Sequence, residues 1–233
     1  MTTAPLWVHA RAPFAAYRWL QAGVYRASAP TIPPSAAWGL LLNLAGIETR
    51  AAAGDDVSTG IRPDAPALRL AIGLVRPVGV AKLLQQLHTY PVGSSGKELK
   101  SRTHGAKYWI APVRREVLVD LDAILGVEGP PEVLQRIRDG LGDAPPGPRY
   151  GVPFAGDNSF FFERLDVVER PPAVRWYTPV VPGEPPREGS ARVTVAIDRA
   201  ESSRTTTRLV APDGMASELP PDAAWTWVPG PPG

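Results

Sequence analysis

Between Lys97 and Arg115 the chain carries Lys97, Lys100, Arg102, Lys107, Arg114 and Arg115 against a single acid, Glu98, with His104, Tyr108 and Trp109 set among them and Tyr90 shortly before. Cations at this density meet phosphates, and rings between them can stack on bases, which is the chemistry of single-stranded nucleic-acid binding. The same residue types permit a second chemistry. Cleaving RNA without a metal needs one group to take the 2'-hydroxyl proton, another to protonate the leaving oxygen and a cation on the phosphate. His104, Lys107 and Tyr108 are groups of those types. A solvated basic loop has the same composition, so composition alone does not choose among the three.

A second set, Arg11, Arg18 and Arg26 with Phe14, Tyr17, Trp19 and Tyr25, precedes Thr31, Ile32, Pro33, Pro34 and Ser35 and then an uncharged run from Ala36 to Ala45. These residues could line a channel with the basic segment or snorkel around an aromatic core. Pro33 and Pro34 hold the approach extended, and Ser35 is expected to cap the first turn of a helix that stops at Gly46. The free N–H groups and positive end of such a helix suit a phosphate or a base edge. Further on, Gly156, Asp157 and Asn158 predict a tight turn anchored by Phe160, Phe161 and Phe162. Its role is read as structural, with shaping of a groove as the alternative.

Other chemistries find little support. There is no cysteine, and His9, His88 and His104 have no metal-ligand spacing, so thiolate zinc sites, disulfides and cysteine nucleophiles drop out and a metal site is not expected. No glycine-rich loop ends in Gly-Lys-Ser or Gly-Lys-Thr, which argues against an ATPase. No cofactor is implied. The start of the chain lacks a basic segment followed by a long apolar run, and a cytoplasmic protein without a membrane partner is the expectation. Residues 1–120 hold 14 Lys and Arg against 7 Asp and Glu, and residues 121–233 hold 11 against 16. Balances of +7 and −5 suit one face toward a polyanion and another toward protein neighbours.

The elements that must position these side chains are legible from periodicity. Leu6, Val8 and Ala10 predict a first strand, and Trp38, Leu41, Leu42 and Ala45 the buried stripe of the helix, widened by Leu40 and Leu44. Leu68, Leu70, Ile72 and Leu74 predict another strand, after a polar loop from Ala51 to Pro66. Ala81–Tyr90 fits helix or strand; the turn signals at Pro91 and Gly93 favour a strand, with Val92–Ala106 a hairpin extension returning at Tyr108–Ile110. Val117, Val119 and Leu121 mark a further strand. Pro131 opens a second helix through Val133, Leu134, Ile137 and Leu141, and Phe160–Val168 is the expected last strand of this part. Val174–Val180, Val193–Ile197 and Thr205–Leu209 predict a small sheet. Twenty-eight prolines gather at 171–186 and from Pro212 onward, where loops and a tail are expected. The resulting α+β order is that of a ferredoxin-like or RNA-recognition-motif-like domain over residues 1–170 with a basic hairpin near 92–111, followed by a small β-rich region at 171–233.

With these residues assembled, the sequence resembles the Cas-five family of CRISPR-associated proteins, in its small DevS-like branch. The resemblance spans about residues 5–170. It rests on the first strand followed by Arg11, Pro13, Phe14, Ala15 and Arg18, on Thr31 with Pro33-Pro34-Ser35 and the helix through Gly39 and Leu40, and on Gly151–Phe162. It implies a non-catalytic subunit of a type I Cascade surveillance complex that caps the 5' handle of the CRISPR RNA, with a thumb-like hairpin on a ferredoxin-like domain. The implied partners are that RNA and the backbone and large subunits; target DNA beside the PAM and transposition proteins stay open. Carried onto this chain, the handle groove would take in Arg11, Arg18, Tyr25, Arg26 and Ser35 with Lys97, Lys100, Arg102, His104, Lys107 and Tyr108 of the hairpin. One branch of the family processes precursor RNA through a tyrosine, lysine and histidine set. Tyr25, Lys107 and His104 keep that metal-independent endoribonuclease as the alternative, and a structural subunit of another ribonucleoprotein is a third reading.

Overall fold

The computed structural model describes residues 4–51, 60–89, 109–142, 147, 149–185, 187–199 and 201–231. The hairpin tip with Lys97, Lys100, Arg102, His104, Lys107 and Tyr108 lies outside the described residues.

Alternation on β1 (Leu6–Ala15) turns Leu6, Val8, Ala10 and Ala12 to one side, where they meet the apolar stripes of α1 (Pro34–Leu44) and α2 (Pro131–Leu141). The same side receives Leu68, Leu70 and Ile72 of β4 (Leu68–Leu74) and Leu121, Ala123, Leu125 and Val127 of β6 (Trp109–Glu128). β7 (Arg164–Val168) completes an antiparallel array in which β7 pairs β1, β1 pairs β6 and β6 pairs β4. The ambiguous Ala81–Tyr90 segment is a strand, β5 (Gly79–Thr89), which pairs along its whole length with the first half of β6.

β6 is longer than the sequence suggested. Its 20 residues run from the basic segment to the centre of the core, although Pro112 and the Arg114–Arg115 pair interrupt the apolar alternation. The strand changes neighbour along its length, lying beside β5 up to Val119 and beside β4 from Ala123. At the change, Asp120 takes the left-handed conformation, φ 57°. The inward positions of β6 run Leu118 and then Leu121, and those of β1 run Ala12 and then Ala15, so both alternations skip a step between the pairs Ala12–Leu121 and Phe14–Val119. The outer part of the sheet is re-aimed there relative to the core.

α1 begins differently from the expectation. Pro33 is the N-cap and Pro34 the first helical residue; Pro33 O accepts from the N–H groups of Ala36 and Ala37, and no side chain caps the turn. Ser35 is therefore inside the first turn and is not its cap. Proline's fixed φ and missing N–H suit the first helical position, so the proline pair outcompetes the serine. The C-terminus behaves as read, with Gly46 at φ 64° and the Ile47 N–H returning to Leu42 O.

Past residue 170 the chain joins the same 11-stranded sheet. β8 (Arg175–Pro179) pairs β4 and β10 (Thr206–Pro212), and β10 pairs β9 (Ala191–Ala196). The expected tail from Pro212 onward is instead structured through β11 (Thr226–Val228), which pairs β4 and buries Val228. The reason is aromatic. Trp225 and Trp176 pack on Trp7 at ring-centroid distances of 6.2 and 5.9 Å, and Gly73 and Gly126 clear the space these rings need. Among the described residues no helix is long and apolar enough to cross a membrane.

Candidate nucleic-acid interface

Two short strands that the sequence did not announce, β2 (Arg18–Ala22) and β3 (Tyr25–Ser28), extend the sheet beside the outer half of β6. They turn the second basic and aromatic set into part of a wing, β2-β3-β6-β5. Parallel pairing sets Tyr25 opposite Arg114 and Arg26 opposite Arg115; on the other edge of β6, Leu84 faces Arg114 and Lys82 faces Glu116. Arg18, Arg26, Lys82, Arg114 and Arg115 thus share four adjacent strands. Leu20, Val24, Val80 and Leu84 are exposed among them.

Their pairing separates free cations from structural ones. Arg18, Lys82 and Arg114 are exposed and have no carboxylate within ion-pairing distance among the described residues. Arg26 gives one bond to Gln21 at 3.3 Å, and its Nε is buried without a partner. Arg115 is committed, since it donates to Asp157 at 2.7 Å and lies over the Phe160 ring. Glu116, the acid on this part of β6, is occupied by the Tyr25 hydroxyl and the Ser28 N–H. The bond to Glu116 raises the Tyr25 phenol, and burial and the nearby charge add to it. The Tyr17 hydroxyl is buried in the core, and burial pushes it upward.

The turn at Gly156 fastens the wing to the body. Gly156 has φ 81°, and a Cβ there would stand 2.4 Å from Ala16 O. Ala16 N–H donates to Ala155 O at 3.0 Å, and Asp157 accepts from the Ser159 N–H at 2.9 Å as well as from Arg115. Burial raises the Asp157 carboxyl, but the bonds from Arg115 and Ser159 outweigh it and the net shift is downward. Asn158 follows in the same turn.

Arg11 is not brought to the wing. It sits on the helix-free side of the main sheet opposite Asp122 and Arg164, 3.0 Å from Glu163 and 3.8 Å from Asp122. Asp122 is buried and also accepts from His9 Nε2 at 2.7 Å, with Arg76 at 3.8 Å. Next to them Arg164 binds Asp166 through two bonds, and these hold the Asp166 carboxyl below its usual range. Here Arg11, Arg76 and Arg164 face Asp122, Glu163 and Asp166, so the patch is close to neutral while the wing keeps an excess of positive charge. The His9–Asp122 pair escaped the sequence because its members are 113 residues apart; only the shared parity of two inward-reading strands hints at it.

Among the described residues no cluster of three or more histidine, aspartate or glutamate side chains could hold a metal. What the wing offers is a partly apolar surface with unpaired cations, continuing through β5 and β6 toward the basic segment, and this suits a phosphate backbone.

No family model matches the chain, and no curated protein resembles it in sequence. Its fold is similar to that of solved structures. A chain of a CRISPR RNA-guided surveillance complex superposes with TM-score 0.59 at 13% identity, covering 91% of this chain and 90% of that one. A Cas protein superposes with TM-score 0.52 at 15% identity, covering 92% and 95%.

Proposed function

We propose that this protein is a Cas-five-like subunit of a CRISPR RNA-guided surveillance complex, which binds the 5' handle of the CRISPR RNA without cutting it. The observation that carries the reading is the shared fold, end to end, with a chain of such a complex. The antiparallel order β7-β1-β6-β4 with α1 and α2 on one side supports a ferredoxin-like body. The β5–β6 extension would then be the thumb, and Arg18, Lys82 and Arg114 would join the basic segment in gripping handle phosphates. The exposed apolar residues of the wing would meet the neighbouring subunits.

The hydroxyl of Tyr25, the tyrosine of the processing set, is engaged with Glu116 inside the wing, and this supports binding over cleavage. The test has two arms. Purified from cells that express its neighbouring subunits, the protein should carry a short RNA with a defined 5' end. Incubated with repeat RNA in chelator, it should bind and leave the RNA intact. Protein partners without RNA would overturn the capping role, and a discrete cut lost on His104→Ala would replace it with the endoribonuclease.

A further inference from the structure

A sheet edge is a row of unpaired N–H and C=O groups, and folded proteins blunt such rows by keeping them short, bulged, charged or covered. Most edges of this sheet follow the rule. β11 has three residues and β7 five. β2 has five, with a shift of register between Arg18 and Gln21. β9 has six, and one of its carbonyls, Arg192 O, accepts from the Trp19 indole at 2.6 Å.

β5 departs from it. Its 11 residues pair with β6 in unbroken register, include no proline and no acid, and have no strand on their other side among the described residues. Alternation puts Val80 and Leu84 on one face, with Lys82 between them, and Leu83 on the other. Val80 is 57% exposed, Leu84 73% and Leu83 39%, so aliphatic surface is open on both faces of the strand. Lys82 is the strand's one Lys or Arg, and its ammonium lies 5.8 Å from the centre of the Tyr25 ring, across β6 on β3. The charge that could guard the edge is therefore turned away from it.

An open backbone ladder flanked by aliphatic side chains fits an added strand, which backbone bonds hold and alternating side chains select. Charge narrows the choice of strand. A second copy of β5 would set the unpaired Lys82 and Arg114 of two wings side by side and would bring no acid to answer them, because β5 has none and Glu116 is occupied in each copy. A neutral or acidic strand meets no such repulsion.

We propose that the outer edge of β5, over residues 79–86, takes an extended segment of another protein, aliphatic at alternate positions and neutral or acidic overall, which lengthens the wing by one strand. This rests on the proposed function only in giving its subunit contacts a form, since the edge is open whether or not the wing binds RNA.

Random decapeptides displayed on phage and selected on the full chain supply the probe. Selected peptides should share aliphatic residues at alternate positions and carry no net positive charge, and a synthetic copy of one should slow amide hydrogen exchange across residues 79–86. Leu84→Lys guards the edge as natural sheets do. Because Leu84 is exposed, the variant should keep the parent's Tm and bind repeat RNA no more weakly, while the peptide binds roughly 5-fold less tightly or worse. Peptide binding by a protein that binds no repeat RNA supports the strand site and counts against the capping reading alone. The proposal fails if no selected peptide slows exchange at residues 79–86, or if Leu84→Lys binds it as tightly as the parent. It fails also if repeat RNA alone protects those amides as fully, which would make the occupant RNA, or if ultracentrifugation finds a dimer that Leu84→Lys dissolves, which would make it a second copy.

Discussion

Arg18, Lys82 and Arg114 offer the most direct test of the wing, because each is exposed and none is ion-paired among the described residues. Replacing all three with alanine should leave the fold intact, each surface change being worth about 0.5 kcal/mol or less. If each touches one phosphate of a single strand, the slope of log affinity against log salt should fall by roughly 0.7 per contact, about 2 in all. From 50 to 200 mM salt the parent should then lose roughly 20-fold more affinity than the triple variant. Fluorescence anisotropy with labelled repeat RNA across that salt range measures both slopes. Arg115→Ala is the contrasting control. It strands the half-buried Asp157 carboxylate, so it should cost about 1–3 kcal/mol of stability and lower the Tm, with a smaller change of slope. An unchanged slope in the triple variant, with its Tm preserved, would refute the assignment of these cations to phosphate. A Tm loss matching that of Arg115→Ala would refute their classification as free.

Three further outcomes follow from the geometry. Asp157 has a folded pKa below its unfolded value, so its contribution is full above about pH 4 and is lost as pH falls through the folded value; Asp157→Asn should flatten the acid limb of a Tm-versus-pH profile. Gly156→Ala forces a Cβ toward Ala16 O at a positive φ, and should cost more than about 2 kcal/mol by chemical denaturation. Leu41→Ala opens a cavity at a fully buried position of α1 and should cost about 2–5 kcal/mol, with RNA affinity per folded molecule unchanged in binding titrations.

Where the apolar pattern is strong, the elements could be read directly: the stripe of α1, the alternation of β4 and the proline-led start of α2 each stand where periodicity put them. Failures occurred where tertiary pairing overrides local pattern. β2 and β3 are too short and too polar to announce themselves, and they exist because β6 offers an edge. β11 was hidden in proline-rich surroundings, and the packing of Trp225 beside it depends on Trp7, more than two hundred residues earlier. Ser35 misled because the neighbouring proline pair satisfies the helix start through backbone alone. For the candidate site, the basic and aromatic composition of both sets was visible. Which arginines are consumed by carboxylates was not, since Arg115–Asp157 and Arg11–Glu163 are contacts between distant segments.

The continuity of β6 has a mechanical consequence. At about 3.3 Å per residue its 20 residues make a beam of roughly 66 Å, held by β1 and β4 at one end and by β5 and β3 at the other. There is no loop in it to absorb slack, and the bend at Asp120 acts as a fixed elbow. A load on the outer end of β6 is therefore carried along continuous backbone to the strand bearing Asp122 and shared with the Arg115–Asp157 tie between the wing and the body.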